Sequence, residues 1–227
     1  MKQKAELIRA RLTAPRSAAI AGILFSVLLI AGLLLFRLSV RADPLEAGAW
    51  LKTSSKTIAL ALNLVPFEGI AFLWFIGVLR DRLGDLEDRF FATVFLGSGL
   101  LFLAMLFASA AMAGGIIIAY AAKPAELLGS PTFTFARAAT YEIMNLYAFK
   151  MAAVFMISTS TLAIRTGFFA RWLAFLGYAF ALFLLLSGRY IERILMLFPM
   201  WVLLISIYIL IDNLRRPPQA AATSPGT

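Results

Sequence analysis

The chain contains no cysteine and no histidine. Without a thiol there is no disulfide framework, no thiolate metal site, no nucleophilic cysteine and no palmitoyl anchor. Without an imidazole there is no His-ligated haem, copper or zinc, and no serine–histidine hydrolytic pair. Acidic residues are scarce: 12 Asp and Glu stand against 21 Lys and Arg, for a formal net charge of +9. Two carboxylates could still hold a hard cation, but no close acidic pair occurs within the apolar runs, so neither a metal nor any other cofactor is expected. The basic residues sit at the termini and in short segments between apolar runs. They form no basic face interleaved with aromatics, so nucleic acid is not an expected partner.

What the chain does have is long apolar runs. Of its 227 residues 62% are hydrophobic, against about 45–50% in ordinary globular proteins, and the mean hydropathy is +0.88. These runs predict an all-α polytopic membrane protein, a bundle of six transmembrane helices with the lipid bilayer as its first partner. The expected spans are 17–40, 58–79, 91–122, 143–164, 170–187 and 195–213. Each covers roughly 30 Å at about 1.5 Å per residue, the fifth only barely. The third is long enough to tilt or project. Residues 1–16 form a basic N-terminal segment, with Leu7, Ile8 and Leu12 at helical spacing. Residues 214–227, rich in Pro, Ala, Ser and Thr, read as a disordered tail.

Lys2, Lys4, Arg9, Arg11, Arg16, Arg80, Arg82, Arg89, Arg165, Arg171, Arg215 and Arg216 fall on the side of the N-terminus. Fewer basic residues fall on the other, among them Arg37, Arg41, Lys52, Lys56, Lys123 and Arg137. The bias predicts both termini in the cytoplasm of a cell-membrane protein. Val40-Arg41-Ala42 resembles a signal-peptide cleavage site. The apolar stretch before it exceeds the usual 7–15 residues, so the first span reads as uncleaved.

Local signals punctuate the connections. Asp43-Pro44-Leu45-Glu46 has the order of a helix start, which would lay Leu45, Trp50 and Leu51 on the membrane surface, the alternative being an ordinary loop. Gly84 can end one helix and Asp85 cap the next. Ser130-Pro131 is another cap and N1 pair, so the fourth helix can begin near 131, with Tyr141, Glu142, Asn145 and Tyr147 at its outer mouth. Trp172, Tyr190 and Trp201 near span ends fit interfacial belts.

The candidate site is intramembrane. Glu68 lies in the apolar run Asn63-Leu64-Val65-Pro66-Phe67-Glu68-Gly69-Ile70, and Lys150 lies at similar depth in another. An ionised side chain near a bilayer midplane costs about 2.5–3.5 kcal/mol or more. Pro66 removes a helix hydrogen bond and predicts a kink. The second and fourth spans run in the same direction, with Glu68 and Lys150 about 4.5 Å apart in depth, so an ion pair between them is expected. Asn63, Glu142 and Asn145 would form the outer approach to this ion- or solute-binding site. Three readings stay open: a polar route through the bundle, a structural ion pair, and an unpaired acid with a snorkelling lysine. The hydroxyls of Ser158, Thr159, Ser160 and Thr161 can bond carbonyls of their own helix and need line nothing.

Ala110 with Gly114, and Ala111 with Gly115, are small-xxx-small pairs. They suit close helix packing, within the chain or against a second copy. No internal repeat is visible, which disfavours an inverted-repeat transporter.

The segment from Asn63 through Ala113, above all Val65-Pro66-Phe67-Glu68-Gly69-Ile70-Ala71-Phe72-Leu73-Trp74 and Arg80-Asp81-Arg82-Leu83-Gly84, resembles uncharacterised bacterial multi-pass membrane proteins. The resemblance implies a bacterial inner-membrane protein and carries over no functional residue. The intramembrane polar pair instead suggests the expected function, a small channel or transporter for an ion or small solute, with Glu68 and Lys150 as its central polar site. The alternative is a non-catalytic subunit packed against other membrane proteins. No catalytic motif is present, and an enzyme is not expected.

Overall fold

The computed structural model describes residues 2–40, 48, 50–83, 89–167, 169–186 and 192–215. Nearly all the described residues are helical, with no strand among them. In an apolar solvent each backbone N–H and C=O must be bonded within its own segment, and the helix achieves that without a neighbour.

Helix α1 runs from Lys2 to Ser39, so the backbone of the basic N-terminal segment continues the first span without a break. A single turn, α2 (Trp50–Thr53), precedes α3 (Ser55–Leu83), which carries Pro66 in its interior. Helix α4 (Arg89–Ala122) is followed by the short α5 (Pro124–Leu127). Helix α6 (Pro131–Glu142) passes through a π-helical stretch, Ile143–Ala148, directly into α7 (Phe149–Thr166). Helix α8 (Arg171–Leu186), a 3-10 turn (Glu192–Met196) and α9 (Leu197–Arg215) complete the order.

The Ser130-Pro131 signal operates as its chemistry dictates: the Ser130 hydroxyl accepts the Phe133 N–H at 3.1 Å, with Pro131 in the first turn. Helix α7 ends at Gly167, whose φ of 67° is left-handed, with its N–H donating to the Ala163 carbonyl at 2.9 Å. The helix start expected at Asp43–Glu46, the Gly84–Asp85 turn, Tyr190 and the tail beyond Arg215 lie outside the described residues.

Among the described residues, five helices are long and apolar enough to cross a membrane: Ser17–Ser39, Ser55–Arg80, Ala92–Ala122, Pro131–Thr166 and Ile194–Arg215. They fit a multi-pass integral membrane protein. The segment expected as a further span, 170–187, folds as the 16-residue α8. At about 1.5 Å per residue it covers about 24 Å, less than a typical hydrocarbon core.

Helix α1 packs on α3 and α9, α4 on α3, α6 and α7, and α8 mainly on α7. Where these helices converge, six phenylalanines interlock. The Phe72 ring lies 4.5 Å from Phe25, 5.4 Å from Phe102, 5.2 Å from Phe155 and 5.9 Å from Phe198, centroid to centroid. Phe149 joins through Phe102 at 6.1 Å. Most of these pairs are tilted or edge-to-face, the arrangement favoured by the ring quadrupole. Trp201, expected at an interface, is instead fully buried, and its Nε1 donates to the Leu173 carbonyl at 3.1 Å. Its neighbour across α8 is Gly177, where a side chain would collide with the indole and with Ser160.

Candidate functional site

A cavity of about 180 Å³ lies among the C-terminal half of α1, the N-terminal half of α3, the C-terminal half of α4 and the α6–π segment. Its walls are mostly aliphatic, including Leu29, Leu33, Val65 and Leu106. Polar groups interrupt them at a few points: Glu68, Arg37, Trp50, Arg137, Ser109 and Asn145.

Glu68 reaches the cavity because of where Gly32 stands. Pro66 offers no N–H to the carbonyl of Leu62, although α3 runs unbroken through it. Gly32 on α1 leaves room for the carboxyl: a Cβ there would lie 2.8 Å from Glu68 Oε1. Glu68 is 1% exposed, and Oε1 has no hydrogen-bond partner among the described residues.

Two further buried atoms of residues lining the same cavity are also without a partner among the described residues, Arg37 Nη2 and Trp50 Nε1. Arg37 lies on α1 between Phe36 and Leu38, and Trp50 is packed with Leu51, Ile58, Ile116 and Phe133. From the sequence Arg37 reads as a charge at the outer end of the first span and Trp50 as a residue of the membrane surface. The available signal was that Arg37 is flanked by apolar residues on both sides, which leaves a helical arginine facing inward or snorkelling.

The ion pair expected between Glu68 and Lys150 is not formed. Lys150 Nζ donates to the carbonyls of Leu184, at 3.3 Å, and Leu185, at the C-terminal end of α8. The reason is lateral: α7 packs against α4 and α8, whereas α3 packs against α1 and α4. Equal depth does not bring the two side chains onto facing surfaces. The carbonyls ending α8 lack intrahelical donors and carry the negative end of the helix dipole, which makes them good acceptors for an ammonium.

The outer approach is likewise regrouped. Asn145 lines the cavity, but its Nδ2 donates to the Tyr141 carbonyl at 3.0 Å. The π winding of Ile143–Ala148 shifts backbone pairing by one residue, and the side chain takes up a carbonyl four residues back. Asn63 is exposed on α3, and neither it nor Glu142 is among the cavity-lining residues. Ser109 Oγ ties α4 to α6 beside the cavity, donating to the Thr140 carbonyl at 3.0 Å.

The small-residue pairs divide. Ala110 lines the cavity and a Cβ on Gly114 would just reach Leu62, whereas Ala111 and Gly115 are exposed, with open space over Gly115. Of the four consecutive hydroxyls at 158–161 in α7, Ser158, Thr159 and Thr161 bond carbonyls of their own helix. Thr161 also bonds Tyr178 at 2.7 Å.

The cavity has a floor. On α1 the lining residues follow Phe25, on α3 they precede Phe72, on α4 they follow Phe102, and on the α6–α7 rod they precede Phe149 and Phe155. On every helix the aromatic cluster therefore lies at one end of the lining residues, and the cavity extends away from it. No family model, curated protein or solved structure matches this chain.

Proposed function

We propose that the chain is a six-span protein of a bacterial inner membrane, with both termini cytoplasmic, whose cavity takes up a small solute from the outer face as the loading step of transport. The short α8 would serve as the remaining span, with Lys150 holding its outer end. The excess of Lys and Arg on the N-terminal side supports the orientation. The observation that carries the binding reading is that Arg37 Nη2, Trp50 Nε1 and Glu68 Oε1 are three buried polar atoms, without a partner among the described residues, around one largely apolar cavity. Buried polar groups are rarely left so, and convergent ones in an apolar pocket mark a ligand site. A permanently open channel is disfavoured by the phenylalanine cluster at the cavity floor.

The second reading, an accessory subunit of a larger membrane complex, is favoured by the exposed Ala111 and Gly115 surface of α4, which suits close approach of another helix. The chain has no cysteine, so Ala110→Cys would place a unique thiol on the cavity wall. In right-side-out vesicles a membrane-impermeant maleimide should label it, and in inside-out vesicles it should not. Labelling from both sides would indicate a pore. No labelling from either side would remove the solute-loading reading and leave the subunit reading.

A further inference from the structure

The three unpartnered atoms differ in kind, and the difference specifies a ligand. Arg37 is a permanent cation whose nitrogens only donate, and the Trp50 indole N–H only donates. Nothing but an acceptor satisfies them, and a guanidinium binds an oxyanion most strongly. Glu68 Oε1 is an acceptor, and the group that complements it is a donor. Arg37 and Glu68 line one cavity, yet no ion pair joins them among the described residues. Arg137, the second cation on the cavity wall, has an interaction of its own, so beside the unjoined Arg37 and Glu68 a simple anion would neutralise Arg37 and leave the carboxyl uncompensated. A simple cation would do the reverse, and uncompensated charge is costly in such a setting.

From these complementarities we propose that the cavity binds a small zwitterion, with its oxyanion at Arg37 and Trp50 and its ammonium at Glu68. The proposal rests on the reading of the cavity as a solute site. The separation of the two poles follows from α1. Glu68 Oε1 lies against Gly32, and Arg37 is five residues further on, a rise of about 7.5 Å. A helical side chain leans back toward the N-terminus of its helix, which lowers the guanidinium toward the acid. The stretch between is lined by Leu33 and Val65, so the two poles of the ligand are joined by a short run of methylenes. An ω-amino carboxylate has this form. A phospholipid headgroup with a phosphate and a primary amine presents the same pair of charges.

The test uses the full-length protein in phosphatidylglycerol nanodiscs, which offer no amine, titrated calorimetrically with ω-aminoalkanoates from glycine to 8-aminooctanoate. Binding should pass through an optimum at intermediate length. The alkanoate and the alkylamine of that length should bind at least tenfold more weakly. Arg37→Gln should weaken the best ligand at least tenfold, and Glu68→Gln should abolish its advantage over the plain alkanoate. Should either variant fail to fold, Trp50→Phe removes one donor alone and should weaken binding several-fold. If exchange of the lipid for phosphatidylethanolamine raises the apparent Kd, the headgroup is a competing source of the zwitterion; an unchanged Kd identifies a soluble solute.

The proposal is overturned if alkanoates bind as well as aminoalkanoates, or if the variants bind as the parent does. It is also overturned if no aminoalkanoate binds and phosphatidylethanolamine gives no Arg37-dependent stabilisation, which would assign the three polar atoms to water. Any of these results, alongside one-sided labelling of Ala110→Cys, would reject the ligand class while keeping the solute-loading cavity.

Discussion

Gly32 and Glu68 are set so closely that a methyl group on Gly32 would stand 2.8 Å from Oε1 of the carboxyl. The atom in the way is the far end of a flexible side chain, so Gly32→Ala should displace the acid rather than break the helix contact. Alanine also favours helix over glycine by roughly 0.5–1 kcal/mol. The variant is expected to unfold within about 1 kcal/mol of the parent while binding aminoalkanoates more weakly. Thermal unfolding read beside the calorimetric titration checks this. A large loss of stability with intact binding would show that Gly32 serves packing and not the site.

Lys150 offers a separate test, because its ammonium closes the end of α8. Lys150→Met would leave the carbonyls of Leu184 and Leu185 without this donor and should cost about 1–3 kcal/mol, with Lys150→Arg recovering part. Since Lys150 and Glu68 do not touch, a double-mutant cycle with Glu68→Gln should give a coupling below about 0.5 kcal/mol. Reversible unfolding in SDS–lipid micelles measures both quantities. Strong coupling would restore the ion pair expected on grounds of depth alone.

Helix identity was legible along the chain, because apolar runs of this length have few other uses. Which face of each helix turns inward was not. In a soluble protein the polar side of a helix announces solvent, but lipid tails are as apolar as a protein core. Phe67 is exposed and Phe72 fully buried, with no contrast in chemistry to separate them. The same ambiguity hid Arg37 and Trp50 and sent Lys150 toward the wrong helix. Glu68 stood out because an acid in such a run is conspicuous whatever it faces, and the π winding of Ile143–Ala148 has no sequence mark comparable to Pro66.

Glycine substitutions separate tight contacts from open surface. A Cβ on Gly177 would stand 2.8 Å from ring atoms of Trp201 and would also meet Ser160 Oγ. The indole is held by its bond to the Leu173 carbonyl and by Phe169 at 6.5 Å, so it has little room to yield. Gly177→Ala should therefore cost about 1–3 kcal/mol, as overpacking does. Gly115→Ala, facing open space, should stay within about 0.5 kcal/mol of the parent. Unfolding free energies of the two variants in the same micelles decide it. Equal effects would mean that α8 does not seat on α9 as described.

The aromatic floor makes the sharpest prediction about sidedness. Phe72 lies in the middle of the cluster, with the rings of Phe25, Phe102, Phe155 and Phe198 within 6 Å of its own. Phe72→Ala removes that centre. In soluble cores such a change costs about 3–5 kcal/mol, part of it for returning apolar atoms to water. That part is small where the alternative surroundings are lipid, so the lower end of the range is expected. The larger consequence is topological, because the void would extend the cavity floor toward the opposite face. A thiol at Ala110→Cys, reactive from one side in the parent, should then become reactive from both. If Phe72→Ala leaves labelling one-sided while stability falls, the cluster holds the helices together without being the barrier, and the closed end of the cavity must be sought nearer the ends of α3 and α7.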